Sequence, residues 1–431
     1  MKTDRLTLLF IILSAITIFL WALGLNFQFD PNRLVSYLGQ IAGLMTILCM
    51  SLDYITSTRL RVIENFAGGL DITYRFHGWI GKLAAVFIIG HPLFLMLQRF
   101  TGVESILRYF WPGNIEFFNW GIFSFWILIL LVVLTVFVKM EYRLWKILHR
   151  FMILTFVFGA YHIFLDYTNP TRSPGIDLKE AWVFAFIFLG LLSFFYRDFI
   201  YPFLAHYYKV VKVQTIGLVT EVYMEPVSKP MKFRAGQYVF MSVMNNKQLS
   251  QEAHPFGITS SPNDRVLRVS IKHLGNYTKN AGLINPGDKV KLWGPNGKFT
   301  WDDFNQSKKQ IWIAGGIGIA PFLSMCKYAL EIKAEHDIHL FYVEKNESEC
   351  EYNSELKELL KDQNIIKLYN HYDEDLGHIT AQAVKEKVGG LSDAVVLICG
   401  PDAMESALRK QFVEIGLKDE MIKAEDFQMK K

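Results

Sequence analysis

The sequence predicts a multi-domain membrane protein: a six-helix transmembrane bundle, then a small antiparallel β-barrel, then an α/β domain on a parallel sheet. Three observations carry this. Residues 1–207 of the 431 are crowded with Phe, Leu, Ile and Trp while 208–431 carry ordinary globular charge, so the mean hydropathy of +0.20 averages two unlike halves. From Val213 to about Phe304 the chain reads as short alternating strands broken by Gly, Pro and Asn. From Lys308 onward strands alternate with helices, the rhythm of a parallel sheet with crossover connections. The expected domains are 1–207, 208–306 and 307–431, with a brief linker near 205–212.

Apolar runs long enough to cross a bilayer lie near 6–25, 35–52, 76–98, 121–138, 147–165 and 181–201. Six crossings return the chain to its starting side. Short loops on the cytoplasmic side collect basic residues. Lys2, Arg5, Arg59, Arg61, Arg75, Lys139, Arg143, Lys146, Arg150, Arg197, Lys209 and Lys212 fall on one side, against Arg33, Arg99, Arg108, Arg172 and Lys179 on the other. The expectation is a multi-pass cell-membrane protein whose N-terminus and soluble domains are cytoplasmic. The first segment lacks a small-residue cleavage site and reads as a retained helix. Those basic loops account for the net charge of +4, so no nucleic-acid partner is expected. Cys49, Cys326, Cys350 and Cys399 have no metal-like spacing, and none sits in an outer loop where a disulfide would be expected.

Four histidines stand out in the apolar half, His77 and His91 in the third span and His149 and His162 in the fifth. Ionisable side chains inside a bilayer imply function by default, and imidazole is a preferred ligand of haem iron. Fourteen residues separate the first pair, roughly 21 Å of helix, so both rings leave one face at opposite depths. The second pair, thirteen apart, lies about 140° off a common face and needs a tightened turn. With both spans running outward, His77 pairs in depth with His149 and His91 with His162, the layout for two stacked haem b groups. No Cys-x-x-Cys-His motif appears, so the haems would be held by ligation and packing alone. Phe156, midway between the ligands of the fifth span, is a candidate aromatic between them or a plain packing residue.

The barrel region carries HPFGITSSP, His254 to Pro262, then the strand VLRVSIK and the turn HLGNYT. A strand ending in Lys272, followed by Gly275, Tyr277 and Thr278, offers a cation, a flexible backbone and a hydroxyl to a pyrophosphate. In the last domain AGGIGIAPF places Gly315, Gly316 and Gly318 directly after a strand, with Pro321 suited to the first helical turn. Such a turn lets backbone amides approach a dinucleotide pyrophosphate. A later turn, ICGPDAM, puts Cys399, Gly400 and Pro401 at the carboxyl end of another strand.

In this order the motifs resemble the ferredoxin-reductase-like flavoprotein module, and the whole chain resembles the NADPH oxidase and ferric reductase superfamily. The resemblance implies that His254, Pro255, Phe256, Thr259, Ser260 and Ser261 hold FAD. It implies that Lys272, Gly275, Tyr277 and Thr278 hold its pyrophosphate, and that the GGIGIAPF and CGP turns hold the nicotinamide nucleotide. Phe427 maps onto a C-terminal aromatic near the flavin ring, although Met429 stands where a second aromatic is common. Gly257 departs from the usual Ser or Thr, leaving a flavin hydroxyl contact missing or supplied by Thr259. Lys345 stands where relatives often place Arg for a 2′-phosphate, which favours NADPH; Glu344 beside it suits the ribose hydroxyl of NADH.

The implied activity is electron transfer from cytosolic NAD(P)H through FAD and two haems to an extracellular acceptor, oxygen giving superoxide or else a ferric chelate. Arg33 matches an arginine that oxygen-reducing relatives place near the outer haem; the second polar group those relatives carry is replaced by Leu95. A role as electron-supplying subunit for an extracellular enzyme, or as a haem sensor, stays open. No calcium-binding loop or proline-rich docking segment is evident, so no obligatory activating subunit is expected.

Overall fold

The computed structural model describes residues 5–25, 27–100, 102–168, 177–304 and 306–424. They divide into two compact units, Met1–Phe203 and Leu204–Lys431. The boundary lies before the expected 207/208, because residues read as a linker already form β-ladder: the first strand spans His206–Ile216 and pairs on both sides.

The first unit is helical: α1 (Arg5–Gly24), α2 (Leu34–Thr56), α3 (Arg61–Ala67), α4 (Leu70–Gln98), α5 (Val103–Phe110), α6 (Glu116–Val132), α7 (Tyr142–Arg150), α8 (Met152–Tyr167) and α9 (Leu178–Phe195). Among the described residues six segments are long and apolar enough to cross a membrane: Arg5–Gly24, Pro31–Thr56, Leu70–Gln98, Glu116–Phe137, Arg143–Tyr167 and Leu178–Leu204. This is a multi-pass membrane protein. Its long helices are predominantly apolar, as spans must be. The last one starts cleanly because Asp177 accepts from the Glu180 amide while the Glu180 carboxylate accepts from the Asp177 amide.

Small residues let the helices approach closely, the usual basis of packing in lipid. A Cβ on Gly39 of α2 would stand 2.8 Å from the Leu95 side chain of α4, and one on Gly190 of α9 would stand 2.6 Å from the Phe156 ring of α8. Phe156 is fully buried and packs on Tyr54 of α2 at 5.1 Å between ring centres, so it belongs to the helix interface.

The second unit holds two sheets. The barrel strands are β1 (His206–Ile216), β2 (Val219–Pro226), β3 (Tyr238–Val243), β4 (His254–Gly257), β5 (Leu267–Lys272) and β6 (Lys289–Asn296). They form one antiparallel sheet in the order β4-β3-β6-β1-β2-β5, and a bridge between Ile258 and Val269 draws its two edges together. After the short α10 (Trp301–Phe304) come β7 (Lys309–Gly315), α11 (Ile319–Glu331), β8 (Asp337–Glu344), α12 (Asn353–Leu359), β9 (Ile366–Tyr372) and α13 (Asp373–Leu376). Then follow α14 (Ala381–Val388), β10 (Ala394–Cys399), α15 (Asp402–Glu414) and β11 (Ile422–Ala424). These strands make a parallel sheet in the order β11-β10-β7-β8-β9. Helices cover both faces, Phe322 and Leu356 packing on one and Val384 and Phe412 on the other, so the strands are nearly continuous apolar runs. The strand order reverses between β7 and β10, and a crevice at the carboxyl ends of two such strands is where a nucleotide binds in folds of this class.

A buried ion network ties the barrel to the parallel-sheet part. Arg268 of β5 meets the Glu355 carboxylate of α12 at 2.8 and 2.9 Å and Glu221 of β2 at 3.1 Å. Removing one partner of such a network costs about 3–5 kcal/mol.

Candidate redox sites

In the helical unit, the four histidines form two ring pairs. His77 of α4 and His149 of α7 have centroids 6.1 Å apart; His91 of α4 and His162 of α8 have theirs 6.4 Å apart. The thirteen-residue spacing is absorbed by a break at Phe151, whose amide donates to Leu148 O at 3.0 Å while its own carbonyl accepts from the Leu154 amide at 2.9 Å. Those three-residue bonds tighten the turn and re-aim His149.

Each pair has its second shell. His91 Nδ1 lies 2.8 Å from Gly39 O, and His162 Nδ1 lies 2.6 Å from Phe117 O. His77 Nδ1 lies 3.3 Å from Asp53 O and 3.1 Å from Asp53 Oδ1, and His149 stacks on Trp145 at 4.8 Å. An Nδ1–H that donates to a carbonyl leaves the Nε2 lone pair for a metal. Glycines make the room: a Cβ on Gly43 would stand 2.7 Å from His91 Nδ1, and one on Gly121 3.1 Å from His162 Nδ1. Among the described residues no group of three or more His, Cys, Asp or Glu converges on one point. Arg33 is exposed at the start of α2, and Leu95 packs by Gly39.

In the second unit, the His254 ring stacks on Tyr277 at 4.0 Å, and its Nε2 lies 3.7 Å from the Glu252 carboxylate. The Tyr277 hydroxyl is buried with no hydrogen-bond partner among the described residues, and burial together with Glu252 pushes it up to about 12. Pro255 lies opposite Phe240, and Phe256 lies opposite Val239 in the barrel core. Thr259, Ser260 and Ser261 are almost wholly buried. The Thr259 hydroxyl accepts from Arg268 Nε at 2.9 Å, the Ser260 hydroxyl accepts from the Arg268 amide at 3.1 Å, and the Ser261 hydroxyl donates to Glu331. The Thr259 hydroxyl also donates to the Arg268 carbonyl at 3.3 Å, so it is not free to replace the one missing at Gly257. Gly257 itself has no space for a side chain, since its Cβ would stand 2.8 Å from that of Ala320.

Lys272 and the turn that carries Gly275, Tyr277 and Thr278 have separate partners. The Thr278 hydroxyl closes its own turn by accepting from the Leu274 and Gly275 amides at 3.0 and 2.9 Å. Lys272 reaches instead to Glu344 at the end of β8, 3.4 Å away, beside Gly316. The two nucleotide turns come together: a Cβ on Gly318 would collide with the Cys399 carbonyl, and one on Gly400 would stand 3.1 Å from Gly315. Gly316 adopts φ +58°, the left-handed region, while Pro321 is buried in the first turn of α11. Pro401 closes on Gly315, whereas the Cys399 thiol is fully buried in the sheet core. Lys345 is ion-paired with Glu374 at 3.3 Å. Phe427 and Met429 lie outside the described residues.

Asp53, Arg268, Ala320 and Met404 were not anticipated. Asp53 carried a signal, an acid at the end of an apolar run; Ala320 and Met404 stand inside the two nucleotide turns, but only folding brings Ala320 to Gly257 and Met404 to Gly315.

Family models match three successive stretches: a ferric reductase like transmembrane component at 42–160, an FAD-binding domain at 206–284 and an oxidoreductase NAD-binding domain at 312–410. The chain has the NADPH oxidase and ferric reductase-like architecture. Its second half therefore carries an FAD-binding domain followed by an NAD-binding domain of the oxidoreductase type. Curated relatives of this reductase-like chain include flavohemoprotein A of Dictyostelium discoideum, 28% identical over 233 residues, 50% of this chain and 58% of the relative. NADH-cytochrome b5 reductase 1 of Coccidioides immitis is 26% identical over 200 residues, 42% of this chain and 65% of the relative. The chain thus spans less than two-thirds of the length of either. Among solved structures, a flavohemoglobin from Malassezia yamatoensis shares the fold at a TM-score of 0.52 and 16% identity, covering 92% of this chain and 98% of that one.

Proposed function

We propose that this chain passes electrons from NAD(P)H across the membrane, through FAD and two b-type haems, to a small acceptor on the far side. The observation that carries the proposal is the spacing of the two ring pairs. Two imidazoles that shared one metal ion through nitrogen bonds of about 2.0–2.1 Å, the length found with zinc, would have ring centres roughly 6 Å apart. The pairs measure 6.1 and 6.4 Å. An iron held in a porphyrin would need only two protein ligands, which suits sites where the described residues bring no third metal-binding side chain.

Bound FAD and haem supply hydride acceptance and one-electron carriage. The protein's residues supply position. The carbonyls of Gly39 and Phe117 orient His91 and His162, Gly43 and Gly121 clear space for their rings, and Phe151 turns His149 toward His77. In the soluble unit the buried, unpartnered Tyr277 hydroxyl beside His254 supports flavin contact there. The glycine turns after β7 and β10 support nucleotide binding at the strand-order reversal. Because Glu374 already pairs with Lys345, the reading takes NADH alongside NADPH. The basic loops support an orientation with residues 204–431 on the cytoplasmic side of a cell membrane, and the proposal calls for no activating subunit.

The test is haem content of the purified full chain by pyridine haemochrome: two per chain, falling to one in His91→Ala or His162→Ala while NADH still bleaches the flavin anaerobically. Two haems retained in both variants overturns the ligand assignment. For the acceptor we propose oxygen, since superoxide formation needs only outer-sphere transfer. Cytochrome c reduction in air that superoxide dismutase suppresses supports oxygen; undiminished reduction favours a ferric chelate or a partner protein.

A further inference from the structure

The two histidine pairs differ in one respect that the ligand reading does not use. His91 and His162 meet neutral backbone carbonyls through Nδ1, whereas His77 Nδ1 also lies 3.1 Å from a carboxylate oxygen of Asp53. That oxygen is buried and, among the described residues, meets no polar group other than the His77 ring. Asp53 lies near the end of α2, inside the apolar run that carries Gly39 and Gly43, and Gly81, one turn beyond His77 on α4, leaves it space. A Cβ at 81 would stand 3.1 Å from Asp53 Oδ2. The cation acting on the same site, Arg197, is already held by Asp198 at 2.6 Å and by the Ser57 hydroxyl at 3.0 Å. The carboxylate is therefore aimed at His77 without a dedicated counter-ion.

We propose that Asp53 is a positioning residue that sets the redox gradient of the bundle, holding the His77/His149 haem at a lower potential than the His91/His162 haem. This rests on the bis-haem reading above. A carboxylate drawing on the Nδ1 proton makes the imidazole a stronger donor through Nε2, and buried negative charge near an iron stabilises its oxidised form. Both effects act in the same direction and are absent at the other pair. Electrons entering at the His77 level then run downhill to the His91 level, one ferric iron being reduced as the other ferrous iron is oxidised, with no co-reactant needed.

The test is a spectroelectrochemical titration of the full chain in lipid nanodiscs, with haem content measured on each sample. Asp53→Asn is expected to keep two haems, to move the lower midpoint upward and to leave the upper midpoint unchanged; Asp53→Glu is expected to restore part of the shift. An unchanged lower midpoint with both haems bound, or a shift confined to the upper one, overturns the proposal. Should Asp53→Asn not hold both haems, His91→Ala decides: the haem it retains must titrate at the wild-type lower midpoint, and titration at the upper midpoint overturns the proposal. Wild-type protein with fewer than two haems per chain overturns the bis-haem reading instead.

Discussion

Lys272 and Glu344 meet at 3.4 Å beside Gly316, joining the last residue of a barrel strand to the last residue of a parallel strand at the glycine turn. Burial raises the Glu344 carboxyl to about 7 from an ordinary 4.5, with the Lys272 ammonium opposing the rise. When ionised, Glu344 competes with a cofactor phosphate for Lys272; when protonated, it releases it. The KM for NADH is therefore expected to fall as pH drops from 8 to 6, and Glu344→Gln to flatten the profile. Between about pH 4.5 and 7 the folded chain binds more protons at this site than the unfolded chain. Its contribution to stability accordingly decreases as pH rises through that window. Steady-state kinetics and thermal unfolding of the full chain across this range check both signs.

Gly257 is matched to Ala320. Restoring the hydroxyl with Gly257→Ser is expected to destabilise the second unit by about 1–3 kcal/mol, as overpacking does, and to weaken FAD retention. Adding Ala320→Gly should recover most of both. A double-mutant cycle on melting temperature and bound flavin measures the coupling; additive effects would show that the 2.8 Å approach is not what excludes a side chain.

Gly43 is expected to be intolerant where Gly78 is not. A Cβ at 43 meets the His91 ring at 2.7 Å, while one at 78 meets nothing within 4 Å. Gly43→Ala should lower haem content toward one per chain, and Gly78→Ala should leave it at the wild-type value. Equal haem content in the two variants would remove the steric argument.

The Lys345–Glu374 pair bears on nucleotide choice. With the ammonium held by a carboxylate at 3.3 Å, a 2′-phosphate gains little from it, so NADH is expected to be used at least as well as NADPH. Glu374→Gln should raise kcat/KM for NADPH relative to NADH by roughly 1.5- to 5-fold. An unchanged ratio would place the 2′-phosphate elsewhere.

Much of this architecture is determined by the sequence alone, because period and composition report which solvent each segment meets. The apolar runs specify the spans, the alternating strands specify the barrel, and the strand–turn–helix repeats specify the parallel sheet. The fourteen-residue spacing puts His77 and His91 on one face of α4 for the same reason, since a single helix has a fixed pitch. What tertiary structure alone decided are relations between segments distant in sequence. It broke the fifth span at Phe151 so that His149 faces His77, and sent Lys272 to Glu344 rather than to its neighbours in the GNYT turn. It committed the hydroxyls of Thr259, Ser260 and Ser261 to Arg268 and Glu331. Asp53 at His77 belongs to the same class. A local pattern encodes which face of an element is buried; which side chain waits on the other side is settled only when two elements pack.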